Sequence, residues 1–430
     1  MKILCTGTGG RAHVAVRTLA NSPHVTGLFC SPGSDAIAEI RLQSGKPVGL
    51  LPFPETAAKA IADWARDARF DLVIPGSEAA LAADLGGYCR KYGIPFSGPD
   101  IRGARFETSK AFSQQAMVFA GIPHPAGRIC ETVHAALSAA EEFDFSCAIK
   151  ADGLALGKGV LLCHSESEVG AAVQKIMIER EFGSAGDRVV VQNLEKGREA
   201  SIHIIADGEL AFPLEVAQDY KNSRDDGEGL NTGGMGSYSS SRLTTETMQA
   251  FSVYEDIIER WRAACRGEEI TYRGILFPGV MLTERGMKVL EFGVRIGDPE
   301  AQSLFSRFEG DLAELMHASA TDKLQPEMLR RWSNMASVCV VVASRGYPGK
   351  PDTGHEITGI DEAEKQPGVQ IFHAGTKREG GKWYNTGGRV LGVTATAPTV
   401  KEARERAYAA VGMIQFEGMW FRKNIADDGL

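Results

Sequence analysis

Residues 148–163 form the run that most limits what this chain can fold into. The run reads as a strand that ends in Lys150, a glycine-rich turn that carries Lys158, and a second, aliphatic strand. Glycines let backbone N–H groups approach anionic oxygens, and the lysines supply point charges, so the turn suits a polyphosphate. The run predicts a β-hairpin whose tip closes over a nucleotide, and an ordinary tight turn with solvated lysines is the alternative.

The spacing in this turn differs from that of a Walker loop, which reads Gly-x-x-x-x-Gly-Lys-Ser/Thr and opens a helix. Here three residues separate Gly153 from Gly157, and Gly159 stands where the Ser/Thr would be. An aliphatic strand follows the turn instead of a helix. We therefore expect a glycine-rich flap at the tip of a hairpin rather than a P-loop.

The composition limits the class of partner. With 430 residues, of which 43% are hydrophobic and 24% charged, the chain is typical of a globular protein. A formal charge of −8 argues against nucleic acid or an anionic membrane as the main partner. No apolar run is long enough to span a bilayer, and the N-terminus becomes polar too early for a signal peptide. We expect a cytoplasmic monomer or small homo-oligomer that acts on small molecules.

The eight cysteines and nine histidines show no metal-binding spacing. There is no Cys-x-x-Cys pair and no His-Glu-x-x-His pattern, and several cysteines lie in strand-like runs. We therefore expect reduced cysteines in the core and no catalytic transition-metal centre.

Three regions are predicted along the chain. Residues 1–103 alternate strand and helix, which predicts a small parallel α/β domain. Residues 104–325 would form a larger α/β region, with a flap lobe at about 123–190. Residues 326–430 are rich in short strands and end in a helix, which predicts a separate α+β domain. The polar, glycine-rich segment 220–238 favours a functional loop over a passive connector.

The first turn, Gly-Thr-Gly-Gly-Arg-Ala at residues 7–12, follows a strand and precedes a helix. Its pattern fits the dinucleotide fingerprint Gly-x-Gly-x-x-Gly/Ala. That fingerprint also needs an acidic residue near the end of the second strand, and none occurs here before Asp35. We therefore predict a single phosphate group at this helix N-terminus, helped by Arg11, with strand-to-helix packing as the alternative reason for the glycines.

Two further segments carry candidate chemistry. Segment 191–201 joins two strands and would form a hinge that reads an adenine edge, with Glu199 facing the ribose and a solvated linker as the alternative. Segment 287–300 is a strand that runs into a charged turn, and Glu291 and Arg295 alternate on one face of an extended chain. A carboxylate for Mg²⁺ beside a cation for phosphate suits phosphoryl transfer, and a surface salt bridge is the alternative.

Taken together, these segments resemble the ATP-grasp ligases, and specifically the phosphoribosylamine–glycine ligases. The resemblance covers essentially the whole chain, and the motifs that carry it are Gly-Gly-Arg at 9–11, Gly-Ser-Glu-Ala at 76–79, Ser-Lys-Ala-Phe at 109–112, Lys-Ala-Asp-Gly at 150–153, Gly-Lys-Gly at 157–159, Gln-Asp at 218–219, Asn-Thr-Gly-Gly-Met-Gly at 231–236, Gly-Asp-Pro-Glu at 297–300, Phe-His-Ala-Gly-Thr-Lys at 372–377 and Gly-Gly-Arg-Val-Leu at 387–391. It implies an N-terminal parallel α/β domain, a two-lobed ATP-grasp domain and a small C-terminal α+β domain.

The resemblance also implies a reaction. ATP would phosphorylate a carboxylate, which is glycine in the family, and a primary amine, 5-phosphoribosylamine in the family, would attack the acyl phosphate to form an amide in purine biosynthesis. The cofactors would be ATP and Mg²⁺, with Mn²⁺ as an alternative ion. Positioning and charge stabilisation would supply most of the rate.

Residue roles follow from the same resemblance. Glu291 would hold the metal, Arg295 would steady the acyl phosphate, and Asp219 and Lys221 would line the amino-acid site. The implied ATP site comprises Lys110, Lys150, Gly153, Gly157, Lys158, Gly159, Gln192, Asn193, Glu195 and Glu199. The implied substrate-binding residues are Gly9, Gly10, Arg11, Glu78, Gly233, Gly234 and Asp298.

The chain departs from the family pattern at both substrate ends. Ala12 replaces a glutamate, and Gly293 replaces the asparagine that supplies the second metal ligand, so we expect weaker metal binding or a shifted ion, with water or Asp298 as the replacement ligand. Further departures are Ser77, Ala80, Gln192, Asn193, Tyr220 and Asn222. Alternatives to the family's reaction are a ligase for a different acid or amine, a non-catalytic ATP-binding homologue and, ranked last, a dinucleotide-dependent enzyme.

Overall fold

The computed structural model describes residues 1–155, 159–226 and 229–430. None of the described helices is both long enough and apolar enough to cross a membrane. All eight cysteines are buried and free, which confirms the prediction of reduced core residues. Burial raises the pKa of Cys5 to about 12, as expected for a thiol in an apolar setting.

The N-terminal region is a parallel sheet surrounded by helices. Its elements are β1 (Lys2–Gly7), α1 (Gly10–Ala20), β2 (Gly27–Pro32), α2 (Asp35–Glu39), β3 (Gly49–Leu50), α3 (Ala58–Asp67), β4 (Leu72–Ile74), α4 (Glu78–Ala82), α5 (Leu85–Lys91) and α6 (Ile101–Thr108). The strand order is β3-β2-β1-β4, and neighbouring strands run parallel. The central strand β1 is buried on both faces, as its continuous apolar run predicts. The predicted parallel α/β fold is confirmed.

The flap lobe is a small antiparallel sheet with helices on one side. After α7 (Lys110–Ala120), its elements are β5 (Gly127–Cys130), α8 (Val133–Glu141), β6 (Cys147–Ala151), β7 (Val160–Cys163), α9 (Glu166–Val173) and β8 (Val189–Asn193). The strand order is β5-β8-β6-β7. Strands β6 and β7 pair with Lys150 opposite Val160, which confirms the predicted hairpin.

The rest of the chain builds one large antiparallel sheet and a separate three-stranded sheet. The elements up to residue 320 are β9 (Arg198–Ser201), β10 (Ile204–Asp207), β11 (Ala211–Pro213), β12 (Ala217–Asp219), β13 (Gly236–Ser239), α10 (Ser241–Ala250), α11 (Arg260–Gly267), β14 (Arg273–Thr283), β15 (Gly286–Gly293), α12 (Glu300–Phe305) and α13 (Leu312–Ala320). The later elements are β16 (Ala336–Ser344), β17 (Glu356–Ile357), α14 (Ile360–Glu364), β18 (Val369–His373), β19 (Thr376–Glu379), β20 (Lys382–Asn385), β21 (Arg389–Ala397), α15 (Val400–Val411) and β22 (Met419–Trp420).

The C-terminal region is α+β, as predicted, but its main sheet is not separate. The strand order β11-β10-β14-β9-β12-β13-β16-β21-β18 runs through the predicted boundary, because β13 pairs with β16. Every residue of β16 is buried, so the strand needs partners on both edges. The sequence missed this junction because β13 lies at the end of segment 220–238, whose glycines resemble a loop. The predicted hinge segment also contains β9, which lies before β10.

The flap lobe has its own hydrophobic core, and the other regions share one. One hydrophobic cluster includes side chains of all the regions outside the flap lobe, among them Leu4, Trp261 and Val340. The flap lobe packs its own cluster, with Ile149 and Val191 on the sheet. The apolar packing of the flap lobe is therefore largely internal, whereas the other regions share an apolar cluster.

Candidate active site

Glu291, near the end of β15, lies among lysines that come from different elements. Lys221 Nζ is 3.2 Å from Glu291 Oε1, and Lys110 Nζ, at the start of α7, is 3.8 Å from Oε2. Lys150, near the end of β6, adds a third positive charge that acts on the same carboxylate. We call these four residues the lysine cluster. They come from four separate segments, so no single local motif in the sequence describes the cluster.

The charges of the lysine cluster suit a polyphosphate. Lys221 holds the pKa of Glu291 well below its usual range, and Lys110 and Lys150 lower it further, although burial acts in the opposite direction. Burial lowers the pKa of Lys150 to about 8. The side chains of Lys110 and Glu291 are 16% and 32% exposed, so a ligand can reach them. The three ammonium groups supply point charges for anionic oxygens, and the carboxyl groups of Glu199, Asp219 and Glu300 also act on Lys221.

The predicted hinge residues adjoin this cluster, but their side chains are already engaged. Gln192 is buried on β8, where its Oε1 accepts a hydrogen bond from Lys150 Nζ (2.5 Å) and its Nε2 donates to Gln114 Oε1 (3.3 Å). Glu195 pairs with Lys288 at 2.5 Å. A nucleotide base at this position would therefore be read by backbone groups unless these pairs open.

The flap glycines lie where the hairpin backbone is crowded. A Cβ at Gly153 would lie 2.6 Å from Ala185 Cβ, and a Cβ at Gly159 would lie 2.6 Å from Ala155 Cβ. Glycine is therefore required at both positions for packing alone. Residues 157–158, the Gly and Lys predicted to close over the nucleotide, lie outside the described residues.

Asp152 ties the base of the hairpin to the helix that carries Lys110. Its Oδ1 accepts hydrogen bonds from Ser109 Oγ (2.8 Å) and from the backbone N–H of Ala111 (3.0 Å). Arg188 Nε donates to the other oxygen at 2.7 Å. This contact fixes two phosphate-binding candidates, on the hairpin and on α7, relative to each other.

Arg11, Glu78, Arg295 and Glu107 form a second cluster, which we call the arginine cluster. Glu78 Oε2 lies 3.5 Å from Arg11 Nη1 and 3.4 Å from Arg295 Nε, and Arg295 Nη2 is 2.9 Å from Glu107 Oε1. Against the effect of burial, Arg295 and Arg11 lower the pKa of Glu78 to about 2. The sequence analysis missed Glu107. Its position next to Phe106, on the buried face of α6, could have indicated it.

Arg295 does not share a face with Glu291, so that prediction is wrong. Strand β15 ends at Gly293, and the alternation of side chains along an extended chain does not continue to residue 295. Arg295 turns to Glu78 and Glu107, while Glu291 turns to the lysines. The two residues therefore belong to separate clusters.

The N-terminus of α1 adds backbone donors to the arginine cluster. In the described part of the chain, no side chain caps this helix, and the buried Arg11 Nε has no hydrogen-bond partner. A Cβ at Gly10 would lie 2.7 Å from Gln302 Nε2, so the end of that side chain would have to shift, whereas the space beside Gly9 is open. Uncapped N–H groups beside two guanidinium groups suit a phosphate.

Two departures from the family pattern have local structural roles near this cluster. Ser77 caps α4, because its Oγ accepts the backbone N–H of Ala80 (3.4 Å) and donates to Glu55. The cap fixes the helix turn that begins with Glu78. Ala12 lines an apolar cavity together with Ile74 and other side chains from α12 and α13.

Asp298, Gly233 and Gly234 meet around Arg389, a residue of β21. Arg389 Nη1 donates to Asp298 O (2.7 Å) and to Gly233 O, and Nη2 lies 3.2 Å from Asp298 Oδ2. Gly234 has a φ of +101°, and a Cβ there would lie 2.8 Å from Asp219 Oδ1. The sequence missed Arg389 as a site residue, although it lies in the Gly-Gly-Arg-Val-Leu motif.

Asp219, the last residue of β12, is a buried carboxyl group near a second one. Its Oδ1 accepts the backbone N–H of Tyr220 at 2.7 Å. Burial and Glu300 raise the pKa of Asp219 well above its usual range, although Lys221 acts against them. Glu300 Oε1 in turn accepts a hydrogen bond from Ser201 Oγ (2.8 Å). A bound ammonium group would favour the charged form of these carboxyl groups.

Gly293 offers no ligand oxygen, and the space beside it is filled. A Cβ at this position would lie 3.0 Å from Phe277 Cδ1 and 3.4 Å from Arg295 Nη1. The Phe277 ring stacks on His203 with centroids 4.6 Å apart. His203 Nε2 accepts the backbone N–H of Gly297 (3.1 Å), and burial lowers the pKa of His203 to about 3, so the ring is neutral. The sequence missed this histidine, which belongs to no motif.

Glu291 is the residue that the sequence predicts to hold a divalent metal. Among the described side chains it belongs to no group of three His, Cys, Asp or Glu ligands. Asp298, the expected replacement for the missing ligand, is already held by Arg389 and by Gln302 Nε2 (2.9 Å). Mg²⁺ binds through one or two carboxylates together with substrate phosphates and waters, so the residues present fit an ion that arrives with a nucleotide.

Comparison with known proteins finds one family along the chain. Models of the phosphoribosylglycinamide synthetase family match residues 1–107 (N domain), 108–301 (ATP-grasp domain) and 337–428 (C domain). The chain is 41% identical to a phosphoribosylamine–glycine ligase of Streptomyces coelicolor, over 99% of both chains. It is 38% identical to the trifunctional purine biosynthetic protein adenosine-3 of Gallus gallus, over 99% of this chain and 42% of that protein.

Solved structures agree. The crystal structure of a phosphoribosylamine–glycine ligase from Thermotoga maritima superposes with a TM-score of 0.82 and 27% identity, over 99% of this chain and 100% of that one. A biotin carboxylase domain from Hydrogenobacter thermophilus, 16% identical, superposes with a TM-score of 0.72 over 99% and 97%, and shares the fold alone. The fold and the site define an ATP-grasp ligase. The chain belongs to the phosphoribosylglycinamide synthetase family.

Proposed function

We propose that the protein joins glycine to 5-phosphoribosylamine, with ATP as the energy source, in purine biosynthesis. The observation that carries the proposal is the presence of two cation-rich clusters on one strand and the turn after it: the lysine cluster at Glu291 and the arginine cluster at Arg295. The reaction needs two phosphate-binding sites, one for the triphosphate of ATP and one for the phosphate of the amine. The full-length similarity to ligases of that name supports the same conclusion.

The lysine cluster would bind the triphosphate. Lys110, Lys150 and Lys221 supply point charges, and the flap residues Gly153, Gly157, Lys158 and Gly159 would cover the phosphates. The base and ribose would lie along Gln192, Asn193, Glu195 and Glu199. Glu291 would hold Mg²⁺, which neutralises charge on the transferred phosphoryl group when bound. The Hydrogenobacter domain, solved with MgADP, shows that the fold admits such a ligand in that protein.

The arginine cluster would bind the amine. The N–H groups at Gly9 and Gly10 and the guanidinium of Arg11 would hold the phosphate of 5-phosphoribosylamine, next to Glu78. Arg295 is held in one orientation by Glu78 and Glu107, so its planar guanidinium is preorganised toward an anionic group.

The amino-acid site would lie between the clusters. Asp219 would pair with the ammonium group of glycine, while Gly233 and Gly234 leave room for the small substrate beside Asp298. The glycine carboxylate would attack the γ-phosphorus of ATP, breaking the β–γ bridge and releasing ADP. The amine nitrogen would then attack the acyl carbon, and the C–O bond to phosphate would break. Phosphate leaves, one proton of the amine is released, and Arg295 steadies the charge that develops.

We also infer the setting in which the protein works. Its partners would be small molecules, in keeping with the acidic formal charge of −8. A cytoplasmic location is consistent with the described helices, none of which could span a membrane, and with purine-pathway relatives. Oligomeric state stays a prediction of a monomer or small homo-oligomer, and the boundaries at 103 and 325 stay predictions.

The test is a defined assay with purified protein, ATP, Mg²⁺, glycine and freshly made 5-phosphoribosylamine. We expect glycinamide ribonucleotide and ADP in equal amounts, and no sustained ADP release over many turnovers when glycine or the amine is left out. ADP and amide formed only with another acid or amine would favour the divergent ligase. ATP binding without turnover of any substrate pair would favour the non-catalytic homologue.

A further inference from the structure

The last residues of the chain make contacts that the proposed reaction does not use. We call residues 422–430 the C-terminal tail. Asp428 in this tail accepts hydrogen bonds from Gln218 Nε2 and from Tyr220 Oη. These two residues flank Asp219, the carboxyl group assigned to the glycine ammonium. One carboxylate of the tail therefore holds both neighbours of a substrate-binding residue.

Because of strand geometry, the contacts of Asp428 also fix the orientation of Asp219. Successive side chains of a strand point to opposite faces, so Gln218 and Tyr220 point one way and Asp219 points the other. Gln218 and Tyr220 meet Asp428, while Asp219 lies against Gly234 and near Glu300. Fixing both neighbours fixes the rotation of the strand end about its own axis, and with it the direction of the Asp219 carboxyl group.

The position of Gln218 is fixed from a second side. Tyr238 Oη, on the buried strand β13, donates to Gln218 Oε1 at 3.2 Å. With its oxygen accepting from Tyr238 and its nitrogen donating to Asp428, the amide has one orientation. Gly429 lies against the Tyr238 ring, where a Cβ would be 2.7 Å from Cε2, so the tail fits this surface only with glycine at that position.

The tail also holds the loop that follows Asp219. Arg422 is buried, its guanidinium lies 5.3 Å from the Tyr220 ring centroid, and it donates to Asn222 O at 2.9 Å. The backbone N–H of Lys423 donates to Asp225 Oδ1 at 2.8 Å. Tyr220 is one of the positions that departs from the family pattern, and these contacts give it a role.

We propose that the C-terminal tail is a latch that positions Asp219 and the loop after it for the amino-acid substrate, with Asp428 as a positioning residue. The proposal rests on the proposed function, in which Asp219 binds the glycine ammonium. Asp428 is exposed, so its replacement tests the latch without removing a core group.

The first experiment compares Asp428→Ala, Asp428→Asn and Tyr220→Phe with the wild type. In Asp428→Ala both hydrogen bonds are lost, and we expect the KM for glycine to rise about fivefold, close to the net effect of one ordinary hydrogen bond because Asp428 acts on Asp219 only through its neighbours. The KM for ATP should rise less than the KM for glycine, because Lys221 is in the loop that the tail holds whereas Lys110 and Lys150 are on other elements. Asp428→Asn keeps an acceptor for Tyr220 and should recover part of the effect. The double variant Asp428→Ala/Tyr220→Phe should be less than additive.

Asp427→Asn is the matched control. Asp427 is the adjacent exposed aspartate, and it pairs with Arg404 (2.6 Å) instead of β12. Arg404 also donates to Ile425 O and Lys423 O, so the tail stays in place without the Asp427 charge. This variant should keep the KM of the wild type for both glycine and ATP.

Hydrogen exchange supplies a readout that does not depend on catalysis. In Asp428→Ala the backbone amides of segment 219–226 should exchange faster, and in Asp427→Asn they should not. An unchanged glycine KM together with unchanged exchange in Asp428→Ala would overturn the latch. A wild type that makes no amide from glycine would instead overturn the proposed function, while the exchange data would still decide whether the tail holds the loop.

Discussion

The two charged clusters differ in the kind of cation they use. In the lysine cluster, flexible ammonium groups surround Glu291, whose side chain is 32% exposed. In the arginine cluster, planar guanidinium groups are locked by Glu78 and Glu107, with 12% to 18% of the Arg11 and Glu78 side chains exposed. Lysine can follow a phosphoryl group as it moves, whereas a paired arginine holds a fixed group in a fixed orientation. The difference suggests that the lysine cluster, the transfer end, serves phosphoryl transfer, and that the arginine cluster, the holding end, holds the phosphorylated amine.

The largest expected effect tests the transfer end. Lys150→Ala removes a buried cation near the transferred phosphoryl group, and we expect kcat to fall about 100- to 1,000-fold, as for loss of one preorganised donor. Steady-state ADP release measures it, with Lys377→Ala, an exposed lysine paired with Glu379, as the control. Equal kcat values in the two variants would contradict a role for Lys150 in the transfer.

The same lysine predicts a pH dependence. The pKa of Lys150 is lowered by burial to about 8, so the residue loses its positive charge as the pH rises above that value. The kcat/KM for ATP, which reports the free enzyme, should therefore fall about tenfold per pH unit well above pH 8. A flat profile up to pH 10 would show that the charge on Lys150 is not required for ATP capture.

The holding end should respond mainly in substrate affinity. Arg11→Ala removes one guanidinium beside the α1 N-terminus, and we expect the KM for the phosphorylated amine to rise about 10- to 100-fold, the worth of a charge-assisted pair. The kcat at saturating amine should change little. A fall in kcat with an unchanged KM for the amine would contradict a role of the arginine cluster in binding the amine.

Gly293→Asn tests whether a side-chain oxygen at residue 293 strengthens Mg²⁺ binding at the lysine cluster. The added oxygen should lower the Mg²⁺ concentration needed for half-maximal activity severalfold, at a stability cost of about 1–3 kcal/mol because Phe277 must shift. Gly293→Ala is the control, since it has the steric cost without the oxygen. Identical Mg²⁺ curves for both variants would show that a side chain at 293 does not reach the ion.

The smallest expected effect is on protein stability, and it comes from His373, which contacts the helix that carries Arg11. The backbone N–H of His373 donates to Nδ1 of His13, on the helix that carries Arg11 (2.8 Å). Burial lowers the pKa of His373 to about 4, so the folded protein keeps it neutral while the unfolded chain takes up a proton below about pH 6.5. Stability should therefore fall as the pH drops from 6.5 to 4, by up to about 3 kcal/mol from this group.

Thermal unfolding at several pH values checks this expectation. His373→Gln should flatten the acid slope, whereas replacement of the exposed His24 by Gln should not. His13, Thr376 and Trp383 lie around the His373 ring, and the charge of Arg17 also disfavours the protonated ring. An acid slope that is the same in both variants would exclude His373 as its source.

The sequence predicts the local parts of this molecule well. The hairpin with Lys150, the α1 turn with Arg11 and the parallel N-terminal sheet follow from short-range patterns, because period-two alternation and glycine turns are local properties. The predicted shared face of Glu291 and Arg295 is wrong, because the sequence pattern does not show that β15 ends at Gly293. Glu107 and Arg389 reach the site from distant segments, and only the tertiary fold brings them there.

The separate core of the flap lobe has a thermodynamic consequence. Its apolar side chains pack on one another, so a swing of the lobe breaks polar contacts such as Asp152 to Ser109 while exposing little apolar surface. The change in heat capacity on unfolding comes mainly from newly exposed apolar area. Opening and closing of the lobe should therefore have a heat-capacity change close to zero. The logarithm of the ratio of open to closed lobe should then vary almost linearly with inverse temperature.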